Sequence, residues 1–273
     1  MQNHELELTE RHRRELEYHR TRAAEYSDLL TRTFSFDVIQ ATSRRWQNAY
    51  WEMYSFLLKQ DLKGRRVLVV GCGFGDDALR LAKLGAEVYA FDLSPESLDI
   101  AKQLALREGL DVHFAQMPAE RLIYESDFFD CVVARDILHH VDIARAMNEI
   151  IRVCRNNALF VINEVYSHSV TDRIRRSQFV EKYVYPLMQN FVYGGEKPYI
   201  TEDERKLTEH DIAEITKPLG ELELEKYFNC FVNRIVPEKF ELVSKLDRLL
   251  LIALKPIGHI LAGRILCAGN ISK

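Results

Sequence analysis

Three of the 12 glycines fall within five positions, at Gly71, Gly73 and Gly75. They follow a short apolar, β-branched run at 67–70, which is typical of a strand buried on both faces. Glycine lets the backbone turn tightly and approach a ligand with no Cβ in the way. Asp92 follows 21 residues after Gly71, and an acid at that place can accept hydrogen bonds from both hydroxyls of an adenosine ribose. These residues predict a site for NAD, FAD or S-adenosylmethionine.

Two features of the glycine loop separate these ligands. The spacing is G-x-G-x-G, whereas the dinucleotide fingerprint is G-x-G-x-x-G. Asp76 and Asp77 follow directly, in the first turn of a predicted helix. A dinucleotide places its pyrophosphate at that helix N-terminus, where two carboxylates would repel it. S-adenosylmethionine carries an ammonium and a sulfonium instead, so the loop favours a methyl donor.

The surrounding elements place this loop at the edge of a parallel sheet. Apolar runs predict strands at 67–70, 87–91, 112–115, 130–134 and 158–163. Helices are predicted at 76–84, 95–108 and 143–153, and two later strands at 222–228 and 264–271. Strands that alternate with helices imply an α/β, doubly wound sheet with helices on both faces.

Composition excludes several other classes of protein. The 273 residues include 37 basic and 41 acidic side chains, for a net charge of −4, which argues against a strongly basic, non-specific nucleic-acid binder. The five cysteines are widely spread without a C-x-x-C pair, which favours a reducing compartment. The N-terminus has no apolar signal-peptide core, and the longest strongly apolar stretch, 249–254, is too short to span a bilayer. We therefore expect a cytoplasmic protein.

Several motifs together resemble those of the class I S-adenosylmethionine-dependent methyltransferases. The runs VLVVGCGFG (67–75) and VYAFDLS (88–94) are similar to the first two motifs of that family. Ala119 and Glu120 resemble its adenine-proximal segment, and FDCVV (129–133) with LHHV (138–141) resembles its fourth-strand motif. The resemblance covers roughly residues 60–165. It implies a mostly parallel seven-stranded sheet whose reversed last strand lies between strands five and six, and a small-molecule acceptor.

The resemblance also implies which residues bind the donor. The expected donor-binding residues are Gly71, Cys72, Gly73, Asp92, Leu93, Met117, Pro118, Ala119, Glu120, Arg135 and Asp136. Two positions depart from the family pattern. Val69 stands where members usually have an acid that orients the donor's amino group, and Asp76 or Asp77 is a candidate substitute. Pro118 stands where an Asp is common, so adenine recognition would depend on the Ala119 N–H and on packing by Leu93 and Met117.

Methyl transfer from a sulfonium is an in-line displacement that needs a base only if the acceptor loses a proton. The candidate catalytic residues are His140, His139 and Glu164, with His140 favoured and Glu164 expected at the pocket rim. Packing or pocket lining is the alternative interpretation of the two histidines. Adjacent histidines do not have metal-ligand spacing, so we predict no metal site. Cys72 is interpreted as a small packing side chain rather than a nucleophile.

The chain is predicted to form a single methyltransferase domain over 1–273. Its parts are an N-terminal helical cap (1–60), a donor-binding core (61–165), a lid and acceptor region (166–219) and two last strands (220–273) that enclose a helical insertion (238–262). Within the insertion, 249–261 is interpreted as a buried helix pair, with an entrance for a lipid-like acceptor or contact with a membrane surface as alternatives. The cap, from its charged composition, is expected to begin with a solvated helix.

The predicted activity is methyl transfer to a small-molecule acceptor, with lipid-like compounds and secondary metabolites among the candidates. Two alternatives stay open at this point: an NAD-dependent oxidoreductase and a non-catalytic donor-binding interaction protein. The sequence carries no indication of an oligomeric state or of the acceptor atom.

Overall fold

The computed structural model describes residues 9–25, 27–184, 186, 205–233 and 236–273. Seven strands form one sheet: β1 (Arg66–Val70), β2 (Glu87–Asp92), β3 (Val112–Gln116), β4 (Phe129–Arg135), β5 (Cys154–Val165), β6 (Leu219–Phe228) and β7 (Arg264–Ile271). Their order across the sheet is β3-β2-β1-β4-β5-β7-β6.

The strand directions match the predicted doubly wound sheet. β1 pairs in parallel with both β2 and β4, so that Val67 lies opposite Val88 on one side and Cys131 on the other. β7 is antiparallel to both β5 and β6 and lies between them. The expected reversed last strand between strands five and six is therefore confirmed. The carboxyl ends of β1 to β5 all lie at the same edge of the sheet, because these strands run in one direction.

Helices cover both faces of the sheet. The described α-helices are α1 (Glu10–Glu25), α2 (Asp37–Gln40), α3 (Ala49–Leu57), α4 (Asp76–Lys83), α5 (Pro95–Glu108), α6 (Ile143–Val153), α7 (Ser169–Arg175), α8 (Glu209–Thr216), α9 (Glu241–Ala253) and α10 (Gly258–Leu261). A 3-10 turn at Leu138–His140 precedes α6. Local sequence fixes the ends of α5: the Ser94 hydroxyl accepts the Ser97 N–H, Pro95 is the first residue, and Gly109 ends the helix with φ +64°.

The strand side chains alternate between two cores. Leu68 and Val70 of β1 pack in the core that also contains α6 and α8. Val67 and Val69 face the opposite core, which contains α3 and α4. A strand with apolar residues on both faces is what a parallel sheet with helices on each side requires.

The helical insertion differs from the interpretation favoured above. Leu251 of α9 is buried, but Leu242, Leu246, Leu249 and Ile252 are exposed along the same helix. The interpretation of this segment as a buried helix pair is therefore wrong for one face of α9.

None of the helices in the described ranges is long and apolar enough to cross a membrane. Residues 187–204 of the expected lid lie outside the described residues, and the division of the chain into functional parts stays a prediction.

Candidate functional site

A cavity of about 450 Å³ opens at the edge of the sheet where β1, β2, β3 and β4 end. Ligands of open parallel sheets bind outside these carboxyl ends. All the residues predicted to bind the donor line the cavity: Gly71, Cys72, Gly73, Asp92, Leu93, Met117, Pro118, Ala119, Glu120, Arg135 and Asp136. His139 and His140 line it as well, whereas Glu164 is not part of its wall.

The glycines of the loop after β1 have two different steric roles. Gly71 has φ +61°, and a Cβ there would lie 2.6 Å from Cδ1 and 2.9 Å from Cβ of Ile137. Gly73 has φ +52°, but a Cβ there would meet no heavy atom within 4 Å. Gly71 is therefore needed because the backbone packs closely against the Ile137 side chain. Gly73 keeps its side of the cavity clear for a ligand.

Asp92, the last residue of β2, is held by two backbone donors. Its Oδ2 accepts the Gly73 N–H at 2.7 Å, and its Oδ1 accepts the Ser94 N–H at 2.9 Å. The carboxylate thus ties the glycine loop to the start of α5. A carboxylate has about four acceptor positions, so the two backbone bonds leave it able to accept ligand hydroxyls.

The segment after β3 supplies an apolar wall with one acid at its end. Met117 and Ala119 are buried and belong to the core on the α6 face of the sheet. Glu120 accepts the Asp142 N–H at 2.9 Å and lies 3.4 Å from His12 Nε2 of α1. Burial alone would raise the pKa of Glu120, but the hydrogen bonds from His12 and Asp142 outweigh it and lower the pKa.

Cys72 behaves as a neutral packing residue beside the cavity. Its side chain packs against the core that contains α3 and α4. Burial raises the pKa of its thiol well above the usual range, and the Asp92 carboxylate adds to that shift. A protonated thiol is a poor nucleophile, which agrees with the interpretation from the sequence.

The two aspartates at the start of α4 have separate environments. Asp77 is turned inward: its Oδ1 accepts the hydroxyls of Tyr50 at 3.0 Å and Tyr54 at 2.7 Å, and its Oδ2 lies 2.6 Å from Arg135 Nε. Burial alone would raise the pKa of Asp77, but Arg135 and Tyr54 lower it. Asp76 lines the cavity and pairs with Arg80 at 3.0 Å. From the sequence, Asp76 and Asp77 were equal candidates to replace the acid that is missing at Val69. The structure corrects this, because Asp77 pairs with Arg135 and is not on the cavity wall.

Asp136, directly after β4, has an unusual backbone conformation for a residue other than glycine, with φ +55°. Its carboxylate lies 2.7 Å from Arg264 Nη2 and 3.4 Å from Arg135 Nη1. Burial alone would raise its pKa, but the two guanidinium groups lower it. Strained backbone of this kind is concentrated at functional sites. Arg264 lines the cavity too, because the antiparallel β7 begins at the edge where β5 ends.

The two histidines after β4 each face a carboxylate. His139 Nδ1 lies 2.7 Å from Glu164 Oε2, and His140 Nδ1 lies 3.2 Å from Glu15 Oε1 of α1. Glu164 is fully buried, and its Oε1 accepts the N–H groups of Ile137 and Leu138 at 2.8 Å each. Our placement of Glu164 at the pocket rim is therefore wrong. It lies behind His139 and holds the turn that carries both histidines.

Sequence reasoning missed the contribution of α1. His12 and Glu15 are buried and line the cavity, although their helix was expected to be solvated. Three residues apart, they lie on the same face of the helix. That face carries polar side chains, so no apolar periodicity identified it as buried.

Among the described residues, no cluster of three or more His, Cys, Asp or Glu side chains is arranged to hold a metal ion.

The charge of the cavity wall follows from these residues. Its carboxylates are Glu15, Asp76, Asp92, Glu120 and Asp136, and its guanidinium groups are Arg135 and Arg264. The five carboxylates outnumber the two guanidinium groups. Such a wall suits a ligand with a positive centre better than a pyrophosphate.

Comparisons with known proteins agree with the fold and with the methyltransferase resemblance. Residues 68–162 match the family model described as "Methyltransferase domain". The chain is 38% identical over 98 residues to a ubiquinone biosynthesis O-methyltransferase of Bordetella avium, which covers 36% of this chain and 39% of that protein. Across such curated relatives the chain spans about a third of their length, 31% in one and 39% in another.

Solved structures show the same architecture over most of the chain. Phosphoethanolamine N-methyltransferase 2 of Haemonchus contortus, in complex with S-adenosyl-L-methionine, has a TM-score of 0.56 at 19% identity and covers 81% of this chain and 52% of that one. A SAM-dependent methyltransferase from Methanosarcina mazei has a TM-score of 0.55 at 17% identity and covers 80% and 98%. At these identities the likeness shows the fold alone.

The sheet order, the reversed β7 and the cavity at the carboxyl edge define a Rossmann-like α/β fold with a methyltransferase domain at 68–162. The match of residues 68–162 to a methyltransferase domain agrees with the resemblance that the motifs implied.

Proposed function

We propose that the protein transfers the methyl group of S-adenosylmethionine to a hydroxyl group of a small-molecule acceptor. The observation that carries this proposal is the cavity wall, in which five carboxylates outnumber two guanidinium groups around the glycine loop and Asp92. S-adenosylmethionine has a sulfonium and an ammonium, so an acidic wall attracts it. The O-methyltransferase name of the relatives supports oxygen as the acceptor atom.

The residues present fit the donor in shape as well as charge. The open space beside Gly73 would be filled by any side chain at that position. Asp92 would accept the ribose hydroxyls, with the Gly73 and Ser94 N–H groups keeping its carboxylate in place. Met117, together with Leu93 and Ala119, would pack against the adenine.

The methionyl end of the donor would lie near the end of β4. Val69, where the family usually has an acid, is buried in the opposite core. Asp76 and Asp136 are therefore the carboxylates of the cavity wall that would hold the ammonium, and Arg135 is a candidate for the carboxylate. The Asp77 ion pair fixes the Arg135 side chain in position for this role.

When bound, S-adenosylmethionine supplies an activated methyl group on a positively charged sulfur. The chain aligns the acceptor with that methyl group and excludes water, which is the main catalytic requirement of an in-line displacement. His140, with His139 beside it, would take the hydroxyl proton. Glu164 would act through His139 as a positioning residue, since its carboxylate contacts that imidazole and two backbone N–H groups.

A screen with radiolabelled donor tests the activity directly. We expect label to pass to one or more hydroxyl compounds and to none of their O-methylated counterparts. Binding of S-adenosylhomocysteine without transfer to any acceptor would favour a non-catalytic donor-binding protein. Thermal stabilisation by NAD and not by S-adenosylhomocysteine would favour an oxidoreductase; a ligand at 100 times its dissociation constant stabilises by about 2.7 kcal/mol.

Asp92→Asn tests the donor site within the same assay. An amide retains one acceptor oxygen for the two backbone N–H groups and for the ribose, so we expect affinity for S-adenosylhomocysteine to fall about 10- to 100-fold. Asp99→Asn, at an exposed position of α5, is the matched control and should leave calorimetric affinity unchanged. Equal affinities of the Asp92→Asn variant and the unaltered protein would contradict the ribose assignment.

We further propose that α9 contacts a membrane surface. Leu242, Leu246, Leu249 and Ile252 are exposed at helical spacing on one side of this helix. Lys245 lies among them, and Lys239 and Lys255 flank the helix. An amphipathic helix with basic residues beside an apolar face is suited to the surface of an anionic bilayer.

Co-sedimentation with phosphatidylglycerol vesicles tests this second proposal. We expect the protein to sediment with the vesicles, and the double variant Leu246→Ser with Leu249→Ser to remain in the supernatant. Phosphatidylcholine vesicles are the control for the charge contribution. A protein that stays in the supernatant with both vesicle types would rule the membrane contact out.

A further inference from the structure

Helix α1 makes polar contacts with the part of the cavity that carries the candidate base. Arg11 Nη2 donates to the His139 carbonyl oxygen at 3.0 Å. His12 Nε2 lies 3.4 Å from Glu120 Oε2. Glu15 Oε1 lies 3.2 Å from His140 Nδ1. These contacts join α1 to the segment that follows β3 and to the turn that follows β4.

The Glu15 contact determines which nitrogen of His140 can act as a base. A carboxylate is an acceptor, so it favours the tautomer in which Nδ1 carries the hydrogen. In that tautomer Nε2 is the nitrogen with the lone pair. The Glu15 side chain is only 7% exposed and that of His140 12% exposed, so their interaction is weakly screened by solvent.

His139 is the less suitable base of the two. Its Nδ1 also faces a carboxylate, that of Glu164, but the His139 side chain is 4% exposed and the Glu164 side chain is fully buried. The Glu164 carboxylate is engaged with two backbone N–H groups of the turn. This arrangement fixes the backbone of the turn, whereas the pair formed by Glu15 and His140 joins two separate elements across the cavity wall.

We propose that Glu15 is the positioning residue of His140 and that the acceptor is an ionisable hydroxyl, of the phenol or enol class. This proposal rests on the proposed methyl transfer. As the bond between oxygen and the methyl carbon forms, the bond between sulfur and that carbon breaks, and its electron pair stays on sulfur. The hydroxyl proton passes to His140 Nε2. The Glu15 carboxylate stabilises the imidazolium that results, as a carboxylate does beside a general-base histidine.

The chemistry of the acceptor follows from the base. Imidazole is a base of moderate strength, and proton transfer to it is efficient when the acidity of the donor is comparable. A phenol or enol meets this condition far better than an aliphatic alcohol. Methylation of an amine that is already neutral would need no base, and neither Glu15 nor His140 would then affect the rate.

The other groups around His140 include His139, whose ring centre is 4.0 Å away, Glu164 behind it, and the cavity residues His12, Glu120, Asp136 and Arg264. Because these groups are common to the protein and its Glu15 variants, comparison of the variants isolates the contribution of Glu15.

Nitrogen-15 NMR of the 273-residue protein tests the positioning role without any acceptor. His140→Asn identifies the His140 resonances. We expect the unaltered protein to show its lone-pair signal at Nε2 and its N–H signal at Nδ1 when the imidazole is neutral. Glu15→Gln should convert part or all of this population to the other tautomer, because the amide can donate to Nδ1. Glu15→Asp, which keeps the carboxylate, should restore the original tautomer.

Glu17→Gln is the matched control, at an exposed position of the same helix. It should leave the His140 signals unchanged. If Glu15→Gln and Glu15→Asp both leave them unchanged as well, Glu15 does not set the tautomer and the proposal is wrong.

Kinetics with a phenolic acceptor from the labelled-donor screen completes the test. Glu15→Gln should lower kcat about 10- to 100-fold, the range that one hydrogen bond to a charged group supports, with little change in KM. His140→Asn should lower it about 10²- to 10⁴-fold. Equal rates in Glu15→Gln and Glu17→Gln, or transfer to amines alone, would overturn the proposal. Failure to bind S-adenosylhomocysteine would instead contradict the proposed methyl transfer, since that measurement does not involve Glu15.

Discussion

The carboxyl edge of the sheet and the α9 insertion present opposite kinds of surface. At the sheet edge, charged side chains converge on one cavity, and Asp92, Asp136 and Glu120 each have polar partners from another part of the chain. Along α9, apolar side chains such as Leu246 and Leu249 are exposed to solvent. Both surfaces differ from the ordinary exterior of a globular protein, but only the first is built from groups that fix each other's position.

The difference concerns specificity. A polar cavity with partnered groups selects a ligand by the positions of its donors and acceptors, because a poorly matched ligand leaves buried groups without partners. The binding strength of an exposed apolar face depends on the apolar area that it buries and on the charge of its partner. Binding to a membrane surface has this character. The cavity is therefore suited to a ligand that is recognised atom by atom, whereas α9 is suited to a partner without defined shape.

The largest expected effect concerns Gly71 at the sheet edge. Gly71→Ala places a methyl group against Ile137 at a backbone angle that favours glycine. Left-handed strain of about 1–2 kcal/mol and overpacking of about 1–3 kcal/mol should together lower the free energy of unfolding by about 2–5 kcal/mol. Urea titration measures the change.

Gly73→Ala is the comparison variant for Gly71→Ala. Its Cβ meets no heavy atom within 4 Å, so only the backbone strain of about 1–2 kcal/mol applies. Its affinity for S-adenosylhomocysteine should fall by more than the loss in free energy of unfolding would account for, because the methyl group enters the cavity. If both variants lose the same stability, the two glycines do not have separate roles.

Asp77 should show the next largest effect. Asp77→Asn removes the closer of the two carboxylates beside Arg135 and should lower the free energy of unfolding by about 3 kcal/mol at pH 7, the lower end for a broken buried ion pair. Asp76→Asn, whose side chain is 48% exposed, should cost about 0–1 kcal/mol. Denaturant titration of both variants compares the inward and the cavity-facing acid.

The pH dependence gives an independent check on Asp77. Its pKa in the folded protein is lowered from the ordinary value of 3.8, so its contribution is fully present above that pH and is lost as the pH falls through the folded-state pKa. The stability difference between the unaltered protein and Asp77→Asn should therefore be constant from pH 7 to about pH 5 and shrink below pH 4. A difference that grows on acidification would contradict the ion pair.

Most of the cavity wall was predictable because its geometry is local in sequence. The loop from Gly71 to Gly75 and the acid at Asp92 follow directly from adjacent strands, and backbone requirements restrict these positions to few residue types. The positions of Arg135 and Asp136 at this edge were predictable for the same reason, since Arg135 is the last residue of β4 and Asp136 follows it.

The partners of these residues were not predictable, because they come from distant positions. Tyr50 and Tyr54 precede Asp77 by 27 and 23 residues, and their helix gave only an apolar, aromatic pattern. Glu15 and His140 are 125 residues apart, and neither belongs to a periodic pattern. Glu164 was placed at the rim because it lies near the end of β5, but strand position does not show how deep an end residue lies beneath neighbouring turns.

The smallest expected effect concerns the exposed face of α9. Leu249→Ala removes a side chain that is 51% exposed and should change the free energy of unfolding by less than about 0.5 kcal/mol. Leu251→Ala, two residues further along the helix and 3% exposed, should cost about 2–5 kcal/mol because it leaves a cavity in the core. Urea titration of the pair measures how sharply α9 is divided into two faces. A large loss in Leu249→Ala would mean that protein covers this face in solution. The contrast with the sheet edge would then weaken, since both surfaces would be internal contacts of the protein and α9 would have no apolar area left for a membrane.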